Sequence, residues 1–440
     1  MLALNERRAV AALIRPATRM PNVLFIVLDT VRAQSLSLYG YNRPTSPNLA
    51  RLARQGVLFE RAIATAPWTL PSHASMFTGR LPHELAYGWR EAVVTQHPFL
   101  AEILSQQGFA TAGFVANTAY CSREYGLSRG FAHYEDFRTT PGQAFRYTSF
   151  GDVAENRLHL IERYGTHNNF GRKSAEQVNR DFTSWLRRQD RRPYFSFLNY
   201  YDAHDPLLPP PEFGQEFASE TPRGFMTPEL ARQLSPKGLH ELQDAYDASI
   251  SYLDHHIGKL IDTLEDSADF ANTLVIITAD HGEQLGEHDL ISHGNSLYRF
   301  LVHVPLLILW PGRIPSARVV TSPVSLKDLP ATVMELAGLQ DRAYFPGKSL
   351  GRFWREDLVK AEPDPVAYSE VDISWDILKV PSVWGKYRSL VSAEHHYIMT
   401  PDGREELYEV GADPFETLNL AETQAGRQAI ARLRGLLSQV

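Results

Sequence analysis

The sequence predicts an α/β fold with a large, mostly parallel central sheet flanked by helices and a small C-terminal antiparallel subdomain. Short uncharged apolar runs, such as residues 23–28 and 304–310, are typical of strands that are buried on both faces. Amphipathic segments separate these runs, which is the alternation expected of a parallel sheet covered by helices. After about residue 339 the pattern changes to short strands and one final helix, which favours an additional antiparallel unit.

The predicted elements follow one another in chain order. Ser46 and Pro47 supply a cap and a first-turn proline for the first helix, and Gly56 ends it. In the main part, strands are predicted at residues 23–28, 57–63, 109–114, 194–200, 274–278 and 305–310, and helices at 47–55, 98–107, 173–188 and about 238–264. In the C-terminal part, strands are predicted at 366–370, 387–391, 396–399 and 407–410, and a helix near 421–438.

These patterns divide the chain into three regions. We predict an N-terminal extension at residues 1–20, a catalytic α/β domain at 21–339 and a C-terminal subdomain at 340–440 that completes the fold. Two loop-rich stretches, residues 139–171 and 206–236, interrupt the alternation. Long loops in a compact domain often shape a binding site, so these are either substrate-specificity elements or surface insertions.

Composition restricts the compartment and the partners of the protein. A formal net charge of −7 over 440 residues gives no general attraction to nucleic acid or to anionic membranes, so neither is expected as a partner. The longest apolar run in the first twenty residues, residues 9–14, is too short for a membrane span or for the apolar region of a signal peptide, so neither is expected there. The single cysteine, Cys121, excludes an internal disulfide framework. A cytoplasmic enzyme is expected, and the sequence does not determine its oligomeric state.

Metal-ligating side chains directly follow two of the predicted strands. Asp29 follows the first strand, and Asp280 and His281 follow the strand at residues 274–278. In an open α/β sheet the carboxyl ends of the strands meet at one edge, where ligands and catalytic groups collect. Carboxylate and imidazole together suit a divalent cation, whereas an isolated Asp-His pair could equally cap a helix. The sequence therefore predicts a metal site formed by these three residues.

Thr69 is the candidate nucleophile. Pro71 suits a first helical turn, which places Thr69 at a helix N-terminus, where main-chain N–H groups and the helix dipole favour an anion. A hydroxyl there can serve as a fourth metal ligand, and coordination lowers its pKa. The alternative is a simple helix cap without a chemical role. The two aspartates nearby in the predicted sheet favour the nucleophile.

The chain resembles the sulfatase family of the alkaline phosphatase superfamily over roughly residues 21–420. The resemblance implies an alkaline-phosphatase-like sandwich, a divalent metal ion and hydrolysis of a small sulfate or phosphate ester. No single motif carries it, but the order and spacing of the motifs do. They are residues 22–29, 39–41, 45–49, 69–79, Asp280-His281-Gly282-Glu283, 406–408, 413–414 and 416–420.

Departures from the family pattern carry information about the reaction. Sulfatases place a cysteine or serine at the position of Thr69 and oxidise it to formylglycine; threonine could yield at best a ketone, so no formylglycine is expected. His73 replaces the family arginine, and Thr30 replaces a second aspartate, which weakens the case for calcium. Asn117 stands about where relatives carry a segment with lysine and histidine, and Asn295 replaces another lysine. These changes point to phosphoryl transfer through a phospho-threonine.

The resemblance also implies roles for further residues. His204 matches the family histidine that contacts the oxygens of the transferred group. His293 stands where relatives carry a histidine followed by lysine, so it is a candidate general acid or ligand of a second metal. Asn117 and Asn295 are candidate substrate contacts, and Glu283 is expected to orient a ligand rather than to bind metal. His73 is included among the catalytic candidates.

Together these residues predict a metal-dependent hydrolase that cleaves a phosphate monoester or diester through a covalent intermediate on Thr69. Zinc or manganese suits the ligand set best, and calcium or magnesium would need additional oxygen ligands. Three alternatives remain open. They are a sulfuric ester hydrolase that uses unmodified Thr69, a phosphotransferase and a binding protein that has lost its chemistry.

Overall fold

The computed structural model describes residues 20–88, 91–136, 148, 173–190, 192–218, 235–339, 344–355, 365–373 and 384–440. The predicted N-terminal extension and the loop at 139–171 lie outside the described residues, apart from Met20 and Thr148. The stretch at 206–236 is described only at its two ends.

The secondary structure follows the chain as named here. The strands are β1 (Asn22–Leu28), β2 (Val57–Ile63), β3 (Ala86–Gly88), β4 (Glu91–Val94), β5 (Ala110–Val115), β6 (His133–Glu135), β7 (Tyr194–Tyr200), β8 (Thr273–Ala279), β9 (Gln284–Leu285), β10 (Ile291–Ser292), β11 (His303–Leu309), β12 (Arg318–Val320), β13 (Val324–Ser325), β14 (Ala367–Ile373), β15 (Gly385–Val391), β16 (His395–Met399) and β17 (Glu405–Glu409). The α-helices are α1 (Pro47–Ala53), α2 (Thr69–Thr78), α3 (Leu100–Gln106), α4 (Ala175–Leu186), α5 (Pro211–Gly214), α6 (Pro236–Glu265), α7 (Arg299–Val302), α8 (Leu329–Leu336) and α9 (Gln424–Leu437).

The central sheet is large and mostly parallel, which confirms the predicted fold class. Its strand order is β12-β2-β11-β8-β1-β7-β5-β6, with β13 also paired to β2. From β8 to β6 every neighbouring pair is parallel, whereas β11 runs antiparallel to both β2 and β8. Every residue of β1, β7 and β8 is buried, as expected for strands covered by helices on both faces.

Helix boundaries follow from capping chemistry. The hydroxyl of Ser174 accepts the N–H of Gln177 at the start of α4, and the hydroxyl of Ser235 accepts the N–H of Gly238 at the start of α6. Pro236 occupies the first turn of α6, so this helix begins two residues before the predicted start. Helix α6 packs against α1, α4 and α5, while α2 packs against α3 and α8. Among the described residues, no helix combines the length and the apolarity that a membrane span requires.

The C-terminal sheet is small and antiparallel, in the order β14-β15-β16-β17. Tyr397 and Leu407 of this sheet form a separate apolar cluster with Leu433 of α9. Two hydrogen bonds to main-chain oxygens join this sheet to the residues that follow β2. The hydroxyl of Ser369 donates to the carbonyl of Ala64 (2.6 Å), and the N–H of Glu370 donates to the carbonyl of Thr65 (3.0 Å). The domain boundary at residue 340 stays a prediction.

Candidate active site at the carboxyl end of the sheet

Two adjacent strands deliver the predicted metal ligands to one point. β1 and β8 pair in parallel with Leu28 opposite Ala279, so that Asp29 and Asp280 both follow directly at the carboxyl edge. Asp29, Asp280 and His281 each offer one ligand atom, and these atoms all lie within 4.8 Å of one another. All three side chains are buried. The structure thus brings together the three residues that the strand ends predicted.

Each aspartate has one oxygen that is hydrogen-bonded and one that is not. Asp29 Oδ2 accepts from Asn117 Nδ2 (2.8 Å) and Asn199 Nδ2 (3.3 Å). Asp280 Oδ1 accepts the main-chain N–H of His281 (2.9 Å). Within the described part of the chain, Asp29 Oδ1 and Asp280 Oδ2 are buried without a hydrogen-bond partner. A buried carboxylate oxygen without a partner is costly, so this pair fits a bound cation.

Electrostatics favour the same conclusion. Burial, reinforced by the charge of Asp280, raises the pKa of Asp29 well above its usual range. Burial also raises the pKa of Asp280 to about 7. Two buried carboxylates this close cannot both ionise cheaply unless a positive charge lies between them. The donor set therefore fits a divalent metal ion, as expected for the sulfatase resemblance.

The imidazole of His281 is oriented as a metal ligand. Nδ1 lies 2.9 Å from the carbonyl oxygen of Gly282, which can only accept, so Nδ1 carries the proton and Nε2 keeps its lone pair. Nε2 lies 3.4 Å from Asp280 Oδ2 and 3.4 Å from Thr69 Oγ1. Burial, followed by the charge of His293, lowers the pKa of His281 well below its usual range. The ring is therefore neutral and its free nitrogen faces the site.

A strained turn holds the two strand ends together. Thr30 has a φ of 62°, an uncommon conformation for a β-branched residue. In this conformation its N–H donates to Asp280 Oδ1 (3.2 Å), and its hydroxyl lies 3.0 Å from the carbonyl of Ala203. Tyr246 of α6 donates its hydroxyl to the carbonyl of Thr30 (2.6 Å). Helix α6 thereby fixes the turn that orients Asp280.

Thr69 is the first residue of α2, as predicted. Trp68 before it is extended, and Pro71 lies inside the first turn, where its missing N–H costs nothing. Thr69 Oγ1 lies 3.4 Å from His281 Nε2 and 3.4 Å from Asn117 Nδ2. All ten residues of α2 are buried, so the hydroxyl is attached to a core element rather than to a loop. The N-terminal amides of α2 can stabilise negative charge at this point.

His73 lies behind Thr69, in the core. One turn along α2, its Nδ1 lies 2.9 Å from the carbonyl oxygen of Thr69, and its Nε2 lies 3.7 Å from Cys121 Sγ. Burial lowers the pKa of His73 to about 4, so the ring is neutral at physiological pH. The ring centroid lies 5.7 Å from that of Phe197. A catalytic role for His73 stays a prediction, and its side chain is fully buried, as are those of Asp29, Asp280 and His281. The placement fits a residue that positions Thr69.

Two further imidazoles lie beside His281. His293 Nδ1 lies 3.0 Å from Oε1 of the fully buried Glu283. The ring centroid of His293 lies 4.5 Å from that of His281 and 5.0 Å from that of His204, which stacks on Tyr201 at 4.2 Å. Burial lowers the pKa of His293, but the carboxylate of Glu283 outweighs it, and the net pKa is raised. The structure thus groups His204 and His293 with the metal ligands.

The two predicted asparagines have different placements. Asn117 donates to Asp29, and its Oδ1 accepts the N–H of Tyr120 (3.1 Å), so it fixes a metal ligand at the edge of the site. Asn295 is buried, and its Nδ2 donates to the carbonyl of Ile291 (2.8 Å), which closes the turn after β10. A substrate contact by Asn295 stays a prediction, and in the structure its Nδ2 serves the backbone.

Sequence reasoning missed Asn199. This residue lies near the end of β7, donates to Asp29 Oδ2 and accepts the N–H of Asn117 on its Oδ1 (2.8 Å). A signal was present, since an asparagine in a buried strand, next to its carboxyl end, needs hydrogen-bond partners. Asn199 therefore belongs to the support of Asp29.

Comparisons with known proteins agree with this geometry. A protein-family model described as Sulfatase matches residues 21–339. A "Sulfatase" of Formosa agariphila is 24% identical over 95% of this chain and 86% of its own length. A "Choline-sulfatase" of Rhizobium meliloti is 25% identical over 93% of this chain and 84% of its own length.

Solved structures share the fold. The phosphonate monoester hydrolase of Agrobacterium radiobacter superposes with a TM-score of 0.74 at 20% identity, over 95% of this chain and 96% of that one. A protein solved with its substrate D-glucosamine-2-N,6-O-disulfate also gives a TM-score of 0.74, at 18% identity, over 96% of this chain and 97% of that one. A protein named as a phosphonate ester hydrolase and one solved with a sulfated sugar thus share this architecture.

Proposed function

The chain belongs to the sulfatase family, and on that premise we propose that it hydrolyses a phosphate ester through a covalent intermediate on Thr69. Members of the family are metal-dependent ester hydrolases, so the identity of the ester is the new part of this proposal. One observation carries it. The candidate nucleophile is a threonine that the family's oxidation cannot convert to an aldehyde, yet its Oγ1 lies 3.4 Å from Nε2 of the ligand His281.

The chain's own residues would hold the metal. Asp29, Asp280 and His281 offer an oxygen-oxygen-nitrogen set, which suits zinc or manganese. When bound there, a divalent cation lowers the pKa of a neighbouring hydroxyl and neutralises charge on the ester oxygens. Asn117 and Asn199 fix Asp29 from one side, and the N–H of Thr30 fixes Asp280.

The reaction proceeds in two steps on these residues. Deprotonated Thr69 Oγ1 bonds to phosphorus as the bond from phosphorus to the alcohol oxygen breaks, and the departing oxygen takes a proton from His293 Nε2. Water then attacks the phospho-threonine, returns a proton to His293 and releases phosphate with Thr69 restored. His293 suits this role because Glu283 holds its Nδ1 and leaves Nε2 to act. His204, next to His293, contacts the oxygens of the transferred group.

His73 contributes by position. Its bond to the carbonyl of Thr69 fixes the first turn of α2, and its Nδ1 lies 3.5 Å from Asp280 Oδ2. A neutral donor at this point aligns the nucleophile with the metal ligand without adding charge. We assign His73 as a positioning residue rather than as a group that touches the substrate.

A sulfuric ester is the second candidate, because the relatives in the comparisons carry the names sulfatase and choline-sulfatase. In that reaction unmodified Thr69 attacks sulfur, and water attacks the resulting sulfo-threonine. Phosphoryl transfer is a third candidate. In that reaction a second alcohol, instead of water, attacks the phospho-threonine in the second step. A cytoplasmic location and a small-molecule substrate stay predictions.

One panel of substrates tests the proposal. Nitrophenyl phosphate, a nitrophenyl phosphodiester, a nitrophenyl phosphonate and nitrophenyl sulfate share a leaving group, so their turnover ranks the ester classes directly. We expect the phosphorus esters to be turned over faster, and an acid-quenched reaction to show phosphate on the peptide that contains Thr69. Sulfate turnover far above that of every phosphorus ester would overturn the preference. An added alcohol acceptor distinguishes transfer from hydrolysis.

Variants of Thr69 test the nucleophile. Thr69→Ala should lower kcat/KM by roughly 10³-fold or more, whereas Thr69→Ser keeps the hydroxyl and should retain a measurable rate. Metal analysis of the purified protein accompanies both variants. If Thr69→Ala matches the parent with every ester and no divalent metal binds, the protein is a binding protein rather than an enzyme.

A further inference from the structure

A buried thiol lies behind the candidate nucleophile and takes no part in the reaction steps proposed above. Cys121 lies on the segment that follows β5, and its side chain is fully buried. Its Sγ lies 3.7 Å from Nε2 of His73, the residue of α2 whose other ring nitrogen contacts the carbonyl oxygen of Thr69. The three residues therefore form a row that leads from the thiol through the imidazole to the first turn of α2.

The contacts of His73 fix the direction of hydrogen-bond donation along this row. Nδ1 lies 2.9 Å from the carbonyl oxygen of Thr69, which can only accept, so Nδ1 carries the proton of the neutral ring. Nε2 then keeps its lone pair in a fully buried side chain, where a polar atom needs a partner. The thiol of Cys121 lies within reach and can supply that donor, although S–H is a weak one.

The thiol is also in the protonation state that donation requires. Burial, reinforced by the charges of Asp29 and Asp280, raises the pKa of Cys121 well above its usual range. The hydrogen therefore stays on sulfur at physiological pH. A protonated thiol is neither a nucleophile nor a metal ligand, which leaves hydrogen bonding as the chemistry open to Cys121.

The main chain of Cys121 is tied to the support of Asp29. Its N–H donates to the carbonyl oxygen of Asn117 (3.0 Å), and its carbonyl oxygen accepts the hydroxyl of Tyr134 (2.6 Å). Asn117 in turn donates from Nδ2 to Asp29 Oδ2 (2.8 Å). The thiol thus joins the segment that holds a metal ligand to the helix that carries the nucleophile.

We propose that Cys121 is a positioning residue of the ester site, whose S–H donates to His73 Nε2 and holds the ring against the carbonyl of Thr69. This role rests on the proposed function of Thr69 as the nucleophile. Hydrogen bonds in a chain polarise one another, so donation from sulfur strengthens the bond from Nδ1 to Thr69. Without the thiol hydrogen the first turn of α2 is held less firmly, and Oγ1 is less well aligned with the phosphorus atom.

The stretching vibration of the thiol tests the contact in the unaltered protein. Cys121 is the single cysteine of the sequence, so the infrared spectrum contains one band of this kind. We expect a frequency below that of a thiol without a hydrogen bond, and a shift towards that higher frequency in His73→Phe. A parent band at the frequency of a free thiol overturns the proposal, and so does a band that stays in place in His73→Phe.

Two substitutions of Cys121 separate donation from packing. Cys121→Val fills the space without a donor, and Cys121→Ser keeps a donor on a shorter bond. With the ester that the parent hydrolyses fastest, Cys121→Val should lower kcat by roughly three- to tenfold with little change in KM. Cys121→Ser should recover part of this loss. Thr400→Val is the matched control, because it removes a buried hydroxyl that donates to the carbonyl of Arg404 in the C-terminal sheet, and it should leave kcat unchanged.

The kinetic result can contradict the proposal in two ways. Equal kcat in Cys121→Val and the parent overturns it. A lower kcat in Cys121→Ser than in Cys121→Val also overturns it, because packing alone would then explain the effect. If the parent hydrolyses no ester, the proposed function fails, and the thiol band alone decides whether Cys121 positions His73.

Discussion

Glu283 Oε1 lies 3.0 Å from Nδ1 of His293, and this carboxylate is fully buried beneath the row of imidazoles at the site. The pair resembles the way in which catalytic histidines are generally oriented, with one nitrogen fixed so that the other can exchange a proton.

The contact between Glu283 and His293 predicts that the rate loss in a His293 variant depends on the leaving group. In His293→Ala, hydrolysis of a phosphate ester of a poorly acidic alkyl alcohol should fall by roughly 10²–10⁴-fold, because the departing oxygen needs a proton. Hydrolysis of the nitrophenyl ester should fall far less, since nitrophenolate departs unprotonated. Glu283→Gln should show the same pattern more weakly. Steady-state kinetics with both esters measure the effect, and an equal loss for both would exclude His293 as the acid.

Asp29 Oδ1 and Asp280 Oδ2, which lack a hydrogen-bond partner among the described residues, predict opposite effects on metal affinity and on the stability of the metal-free protein. Asp29→Asn should weaken binding of a divalent cation by at least tenfold, because it removes a charged ligand. In chelator the same variant should be more stable than the parent, since one of two repelling buried carboxylates is gone. Calorimetric titration and urea unfolding measure the two effects.

Asp254→Asn provides the control for this experiment. Asp254 is also buried, but it accepts the N–H groups of Asn48 and Leu49 at the start of α1. Its replacement should lower stability by about 1 kcal/mol without any effect on metal affinity. A loss of stability in metal-free Asp29→Asn would contradict the assigned repulsion.

His303 predicts a loss of stability in acid. Its Nε2 lies 2.7 Å from the carbonyl oxygen of Glu60, and its Nδ1 accepts from Arg299 Nε (3.2 Å), so both nitrogens are used by the neutral ring. Burial, followed by the charge of Arg299, lowers the pKa of His303 to about 3. The unfolded histidine titrates near about 6.5 and therefore binds a proton more readily. Its contribution is fully present above about pH 6.5 and is lost as the pH falls towards 3.

Urea unfolding at about pH 7, 6 and 5 measures how the free energy of unfolding changes with pH. This slope should approach about 1.4 kcal/mol per pH unit for one proton. His303→Gln should flatten it by that amount. His240→Gln, at a side chain that is 70% exposed, should leave it unchanged. Identical slopes in the parent and His303→Gln would show that His303 is not the group responsible.

Gly282 predicts a steric effect on the metal-ligand turn. A Cβ added there would overlap the carbonyl oxygen of Phe300 and lie 2.8 Å from Cβ of Arg32, so the turn would have to move. Gly282→Ala should cost about 1–3 kcal/mol and lower activity at least tenfold, because His281 moves with the turn. Gly411→Ala, where nothing lies within 4 Å of the added atom, should change neither. Parallel assays of unfolding and turnover compare the two variants.

Parallel strands end at the same edge of a sheet, and this rule explains why the sequence predicted the metal ligands well. Asp29, Asp280 and His281 follow buried apolar runs, and parallel strands necessarily bring those ends to one edge. The direction of β11 was not predictable, because an apolar run of this length does not encode whether the strand is parallel or antiparallel. Short strands such as β6 and β13 carry too few residues to show a period.

The direction of individual side chains could not be predicted from the sequence. The family resemblance placed His73 and Asn295 by position in a motif, but whether a side chain faces the cavity or the core depends on packing around it. His73 turns towards Phe197 and Cys121, and Asn295 turns towards the backbone of its own loop. Asn199 acts through Asp29 and Asn117, and such support is set by three-dimensional contacts rather than by spacing.

The reversal of β11 affects how this enzyme could be altered. β8 ends and β11 begins at the same edge of the sheet, so the segment between them, residues 280–302, does not cross to the opposite edge. Glu283, His293 and Asn295 all lie on this segment. The part of this segment that follows Gly282 can therefore be lengthened or shortened without redesign of the sheet and without moving Asp280 and His281, which makes it the natural place to engineer a new leaving-group preference.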